Sequence, residues 1–173
     1  MSDTMIEQMT KGELVSLWEK TQGGNIPTNR IGYPQLEIFY PLTNYFVKLV
    51  DGKPVAAIGF GKKDGLTLRG GAFVIESERG KRHYQELDKH LENNISGPYI
   101  TGISSNIVPN EVWAKSFERR GWSVTPTDEE LGKYANNSTI KAFKDYYDNH
   151  PRGAKWAVKD LPLEKSWFVL LKR

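Results

Sequence analysis

The chain has 173 residues, 38% of them hydrophobic and 12% aromatic, enough to build one substantial core in a single domain, 1–173. It has no cysteine and only three scattered histidines (His83, His90, His150), which excludes a disulfide framework, a thiolate zinc site and a thiol nucleophile and leaves little capacity for a metal. The net charge of +3, from 24 basic and 21 acidic residues, permits a nucleic-acid partner without selecting one.

No run approaches the roughly 20 apolar residues of a membrane-spanning helix. The opening MSDTMIEQMT has acidic residues where a secretory leader needs a basic region and an apolar run, so a soluble, cytoplasmic protein is expected. Residues 4–9 alternate weakly and predict a first strand. Thr10 and Glu13 then make a capping box in front of Leu14, Val15, Leu17 and Trp18, an amphipathic helix. Residues 22–41 are dense in Gly, Pro and Asn and read as a loop with a short helix, placed to touch a ligand and able to bury Leu36, Ile38, Phe39 and Tyr40.

Residues 45–50 and 54–60 read as strands joined by Asp51-Gly52, a pair that supplies the positive φ angles of a tight hairpin turn. A second turn at Lys63-Asp64-Gly65 leads to a third strand over 66–75, completing an antiparallel meander. The period then changes: Tyr84, Leu87, Leu91 and Ile95 recur at helical spacing, ending near Asn94, with 78–81 as the junction. Residues 99–104 read as a strand, and Asn110 caps a helix carrying Val112, Trp113, Ala114, Ser116 and Phe117, stopped by Gly121. After a strand at 122–124, a capping box at Thr127 and Glu130, and Ser138 ahead of Ile140, Phe143, Tyr146 and Tyr147, predict a helical insertion at about 126–150. Residues 155–159 and the apolar run 167–171 close an α/β (α+β) chain without internal repeats.

This order resembles the GCN5-related N-acetyltransferase (GNAT) fold, a mixed, mainly antiparallel central sheet with helices on both faces. In that family a strand enters a helix through R/Q-x-x-G-x-G/A, whose amides hold the pyrophosphate of coenzyme A. The matching stretch runs from Phe73 to Tyr84, with Arg79 and Gly80 fitting the pattern, while Arg82 and Tyr84 stand where glycine or alanine is usual. A second stretch, Asn110, Trp113, Phe117, Gly121 and Trp122, resembles the family's N-x-x-A-x-x-x-Y-x-x-x-G-F.

The resemblance implies transfer of an acetyl or other small acyl group from acyl-CoA, as co-substrate, to a small-molecule or peptide amine. It implies a coenzyme site at Phe73, Val74, Ile75, Arg79, Gly80, Lys81, Arg82 and His83, completed by Asn106, Asn110 and Phe117. A backbone amide in 73–75 would polarise the thioester, and Phe117, where many members have a tyrosine acid, has no proton to give. Arg82 would offer a guanidinium fork to phosphate oxygens while Tyr84 turns into the core.

Each of these residues also has a plainer account. Glu76 is the candidate general base, yet most glutamates at strand ends are merely solvated. Ser104, Ser105 and Asn106 follow a strand where the family admits the pantetheine arm, making Ser105 a catalytic candidate, but ordinary turn chemistry explains them too. His83 reads as mostly surface, Asn110 as a cap, the tryptophans as core, and Tyr134, Tyr146 and Tyr147 as a helix face or a substrate wall. Three readings stay open: an acyltransferase, a GNAT-fold binding or assembly module without catalysis, and a transferase that uses a charged tRNA or nucleotide donor or acts on nucleic acid. A homodimer is compatible with all of them.

Overall fold

The computed structural model describes residues 3–23, 26, 43–63, 66–103, 110–124, 129, 133 and 167–171. They fall into two compact units: the described residues up to Gly61 together with Arg69–Ser96, and Lys62–Leu68 together with the described residues from Gly97 onward.

In the first unit, β1 (Thr4–Thr10) pairs antiparallel with β2 (Asn44–Val50), in a register running from Thr4 opposite Val50 to Thr10 opposite Asn44. β3 (Lys53–Lys63) and β4 (Leu66–Val74) follow; the strand order is β1-β2-β3-β4. The capping box forms as expected: Thr10 Oγ1 accepts from the Glu13 amide, the Glu13 carboxylate accepts from the Thr10 amide, and α1 (Lys11–Thr21) starts there. The hairpin turn also forms, with Asp51 at φ 51° and Gly52 at φ 80°. Its Asp51 side chain and amide clamp the start of β1 by exchanging hydrogen bonds with the backbone of Asp3.

β2 is buried at five consecutive residues, 45–49, which requires cover on both of its faces because side chains alternate. On one face Phe46 stacks on Phe60 with ring centroids 4.8 Å apart and meets His90 edge-on at 4.7 Å. His90 belongs to α2 (His83–Asn94), which also buries Leu87 and Leu91. α1 packs on β1 and β2 and buries Leu14 and Trp18, whose indole meets Phe73 edge-on at 5.8 Å. Gly59 is needed for space: a Cβ there would lie 2.7 Å from the Tyr45 ring and 3.1 Å from the Gly70 carbonyl oxygen.

In the second unit the order is β4-β5-β7-β6, with β5 at Tyr99–Ile103, β6 at Ser123–Val124 and β7 at Trp167–Leu171. β4 and β5 pair in parallel, Thr67 opposite Tyr99 and Leu68 opposite Ile100, whereas β7 is antiparallel to both β5 and β6. α3 (Asn110–Arg119) packs on β5, β6 and β7. It stops at Gly121, whose φ of 91° suits a helix C-terminus. Phe117 and Trp122 are buried with rings edge-on at 5.1 Å, and Tyr99 lies 6.2 Å from Trp122.

The expected α/β architecture is therefore observed, with a mixed and mainly antiparallel strand arrangement. Some details differ. Ile95 is not in α2 but caps it in extended conformation, and Val112, expected on the apolar face of α3, is 51% exposed. The elements expected at 22–41, 126–150 and 155–159, and the turn at 64–65, lie outside the described residues.

Candidate functional site

β4 ends when the Ile75 amide donates to the Val55 carbonyl of β3 at 2.9 Å. Successive strand amides point to opposite sides, so the Val74 amide faces away from β3. Of the stretch 73–75, Ile75 is thus engaged, and Phe73 buries its ring in the core. A 3-10 turn at Glu76–Glu78 follows, closed by Glu78 N donating to the Ile75 carbonyl at 3.0 Å and Arg79 N to the Glu76 carbonyl at 3.3 Å.

The chain then bends through Gly80 at φ 82° and Arg82 at φ 66° before α2 begins at His83. The left-handed region favours glycine, because a Cβ there crowds the backbone. Position 82 therefore keeps a glycine's conformation while carrying arginine, which is why the motif reads as interrupted in the sequence yet bends in the structure. Gly80 has open space around a would-be Cβ, so its role is conformational.

Arg82 is the N-cap of α2, but its side chain makes no capping bond. The first intrahelical bond runs from Glu86 N to the Arg82 carbonyl at 3.1 Å, leaving the amides of His83, Tyr84 and Gln85 without intrahelical acceptors. Such amides, with the positive end of the helix dipole, suit an anion. Three cations stand beside them, all exposed. Arg79 reaches back to the Val74 carbonyl at 3.3 Å, and Lys81 pairs with Glu78. Arg82 makes no hydrogen bond or ion pair among the described residues and is the cation at liberty to meet a ligand.

Tyr84 turns inward, as expected. Its hydroxyl accepts from Arg69 Nη2 at 3.4 Å, and Arg69, 1% exposed, is ion-paired with Asp88 and lies 3.5 Å from Glu92. The buried Lys48 pairs with Glu86 on the same helix. These charges were not singled out in the sequence, although the signal is there: an arginine inside an apolar strand, and Tyr84, Asp88 and Glu92 in steps of four, each one residue after His83, Leu87 and Leu91 respectively.

His83 corrects the surface reading. It is 7% exposed, with Nε2 3.4 Å from the Glu78 carboxylate, because Glu78 in the 3-10 turn folds over the first turn of α2. The hydrogen bond from Lys81 holds the Glu78 carboxyl below its ordinary range, outweighing the opposing effect of burial, and a lesser hydrogen bond with His83 acts in the same direction as Lys81. Glu76, the candidate base, lies in the 3-10 turn and not on the strand. It is exposed, and no side-chain partner among the described residues orients it.

Asn110 opens α3. Phe117 is 4% exposed, and the Arg120 guanidinium lies over its ring at 4.4 Å. Ser104, Ser105, Asn106, Tyr134, Tyr146 and Tyr147 lie outside the described residues. Among the described residues no group of three or more potential ligands gathers to hold a metal, and no helix is long and apolar enough to cross a membrane.

No family model matches the sequence, and no curated protein matches it. Solved structures do resemble the chain. An acyl-CoA N-acyltransferase from Pseudomonas aeruginosa is 10% identical, with 72% of this chain and 92% of that one covered and a TM-score of 0.48. An IAA acetyltransferase from Bacillus cereus is 15% identical over 72% of this chain and 79% of its own, with a TM-score of 0.49. A GCN5-related N-acetyltransferase from Kribbella flavida is 12% identical over 72% of this chain and 34% of its own, with a TM-score of 0.43. Similarity at this level concerns the path of the chain; activity has to be argued from the site.

Proposed function

We propose that the chain is an N-acyltransferase that moves an acetyl or other small acyl group from acyl-CoA to an amine. The observation that carries this reading is the entrance of α2, which has no side-chain cap and where the left-handed bend at Gly80 and Arg82 and an uncommitted guanidinium stand together. The donor set fits a diphosphate: backbone amides on one side and a planar fork of N–H groups on the other. Bound acyl-CoA supplies the thioester.

The chain's own groups then divide the work. The Val74 amide, turned away from β3, donates to the thioester carbonyl oxygen as it gains negative charge. The acceptor ammonium loses a proton to Glu76, directly or through water, and the neutral amine attacks the carbonyl carbon; as the C–S bond breaks with its electron pair on sulfur, the nitrogen releases its second proton to solvent and the sulfur takes one from solvent. Phe117 has no proton to give.

Thermal melting of the full chain with acetyl-CoA and with CoA tests the reading. A ligand at about 100 times its Kd adds about 2.7 kcal/mol to the folded state. Both should raise Tm, and Arg82→Ala should shrink the rise. No shift at roughly millimolar ligand would sink the proposal.

A second reading is favoured by the proton-free Phe117 and the unoriented Glu76: a module that binds acyl-CoA without transferring from it. It predicts the same melting shift with no thiol release across an amine panel.

A further inference from the structure

β1 stands at one end of the strand order, with β2 as its one strand neighbour. Its two ends show which backbone groups β2 uses. Before the strand, Asp3 exchanges hydrogen bonds with Asp51, and after it the Lys11 amide donates to the Thr43 carbonyl at 3.4 Å. The register runs between these points without a shift, and successive residues turn their N–H and C=O to opposite sides. Met5, Glu7 and Met9 therefore face β2, while Thr4, Ile6, Gln8 and Thr10 face outward. The Thr10 amide is already taken by the Glu13 carboxylate. Thr4, Ile6 and Gln8 are left, with outward N–H and C=O groups that meet no described residue.

An open edge is a template for another strand, and proteins blunt it with lysine, proline or a bulge. β1 has none of these. It is pinned at both ends, by the Asp3–Asp51 clamp and by the capping box, so a second strand meets it already ordered. Met5, 52% exposed, lies on it two residues from the strand's one charge, Glu7. When two copies of a strand pair antiparallel about a two-fold axis, the axis passes through a residue, because opposed side chains share a face. Axes at Met5 and Glu7 set carboxylates against each other, Asp3 on Glu7 and Glu7 on Glu7, and an axis at Gln8 requires the occupied Thr10 amide. An axis at Ile6 sets Ile6 on Ile6, Thr4 on Gln8 and Met5 on Glu7, and gives every spare N–H a carbonyl. The spare groups are thus their own complement, and the placing of charge leaves one register for a second copy of this chain.

We propose that β1 is a self-association edge: two copies of the chain pair their β1 strands antiparallel about a two-fold axis at Ile6. This stands apart from the acyltransferase reading, in which β1 takes no part. Pairing uses up this edge in both copies, so the assembly closes at two. Its register is legible from charge, because residue 5 of each copy faces Glu7 of the partner subunit. A carboxylate placed there repels, and an ammonium placed there attracts.

The test is sedimentation equilibrium of the full chain up to roughly millimolar concentration, joined to amide hydrogen exchange at low and high concentration. The expected result is a dimer in which the amides of Thr4, Ile6 and Gln8 gain protection with concentration, while those of Met5, Glu7 and Met9 are protected throughout. Met5→Glu should weaken the dimer about tenfold and Met5→Lys should tighten it by a similar factor, through two symmetric cross-strand charge pairs. Ile6→Pro should abolish it, since the ring removes an outward N–H and no bond to β2. Should Ile6→Pro fail to fold, the two Met5 variants, at an exposed position, decide. A chain that stays monomeric overturns the proposal, whether its edge amides exchange freely or are shielded by another segment of the same chain. A dimer indifferent to both charges at position 5, or one whose edge amides still exchange freely, associates elsewhere and overturns it as well.

Discussion

The hairpin at 51–52 and the bend at 80–82 both place a non-glycine residue in the left-handed region beside a glycine, but they support it in opposite ways. Asp51 holds φ 51° because its short polar side chain is anchored by a long-range hydrogen bond from the Asp3 amide at 2.9 Å, and because the turn closes a ladder of paired strands. Arg82 at φ 66° has neither aid: its side chain caps nothing and pairs with nothing described. The hairpin spends its unusual backbone on folding, whereas the bend holds its own in a conformation useful for presenting amides and a cation to something outside the chain.

The largest effect should come from what anchors the helix behind the bend. Arg69→Ala leaves Asp88 buried without its partner and should cost about 3–5 kcal/mol in urea unfolding. The double variant Arg69→Met, Asp88→Leu should recover most of it. A loss no greater than that of a surface change would show that the buried pair does not hold α2. On the hairpin side, Gly59→Ala drives a methyl against Tyr45 and the Gly70 carbonyl and should cost about 1–3 kcal/mol by the same measurement.

The comparison itself is sharpest in two glycine substitutions. Arg82→Gly removes a left-handed Cβ worth roughly 1–2 kcal/mol and adds glycine's entropy of roughly 0.5–1 kcal/mol, so it should stabilise by about 0.5–1 kcal/mol while weakening the melting shift with CoA. Asp51→Gly also loses a side-chain hydrogen bond and should destabilise by roughly a few tenths of a kcal/mol. Equal signs for the two would erase the distinction. The smallest effect concerns acid: Glu78 titrates below its ordinary 4.5 in the folded chain, so its contribution is present above that value and lost as pH falls through the lowered one. Glu78→Gln should flatten the acid limb of Tm against pH, and an unaltered limb would show the carboxylate to be inert.

Local rules made the capping box at Thr10 and Glu13, the Asp51-Gly52 turn and the α2 periodicity legible in sequence, because each is decided within a few residues. The interrupted motif at 80–82 was legible as a departure but not as a geometry, since nothing in the residue names tells that Arg82 adopts a glycine's φ. The burial of His83 and the Arg69 network were missed for a different reason. Both depend on how far α2 sits over β2 and β4, a tertiary distance that no window of the sequence contains.

That placement of α2 has one more consequence. Tyr84, Asp88 and Glu92 repeat every four residues, so sliding the helix one turn, about 5.4 Å, would still offer Arg69 a polar partner. Lys48 breaks the ambiguity: one turn either side of Glu86 stand Arg82 and His90, neither an acceptable counter-ion for an ammonium. Arg69 supplies the grip and Lys48 the indexing, and together they admit a single setting of the helix, the one that leaves its first amides at the end of β4.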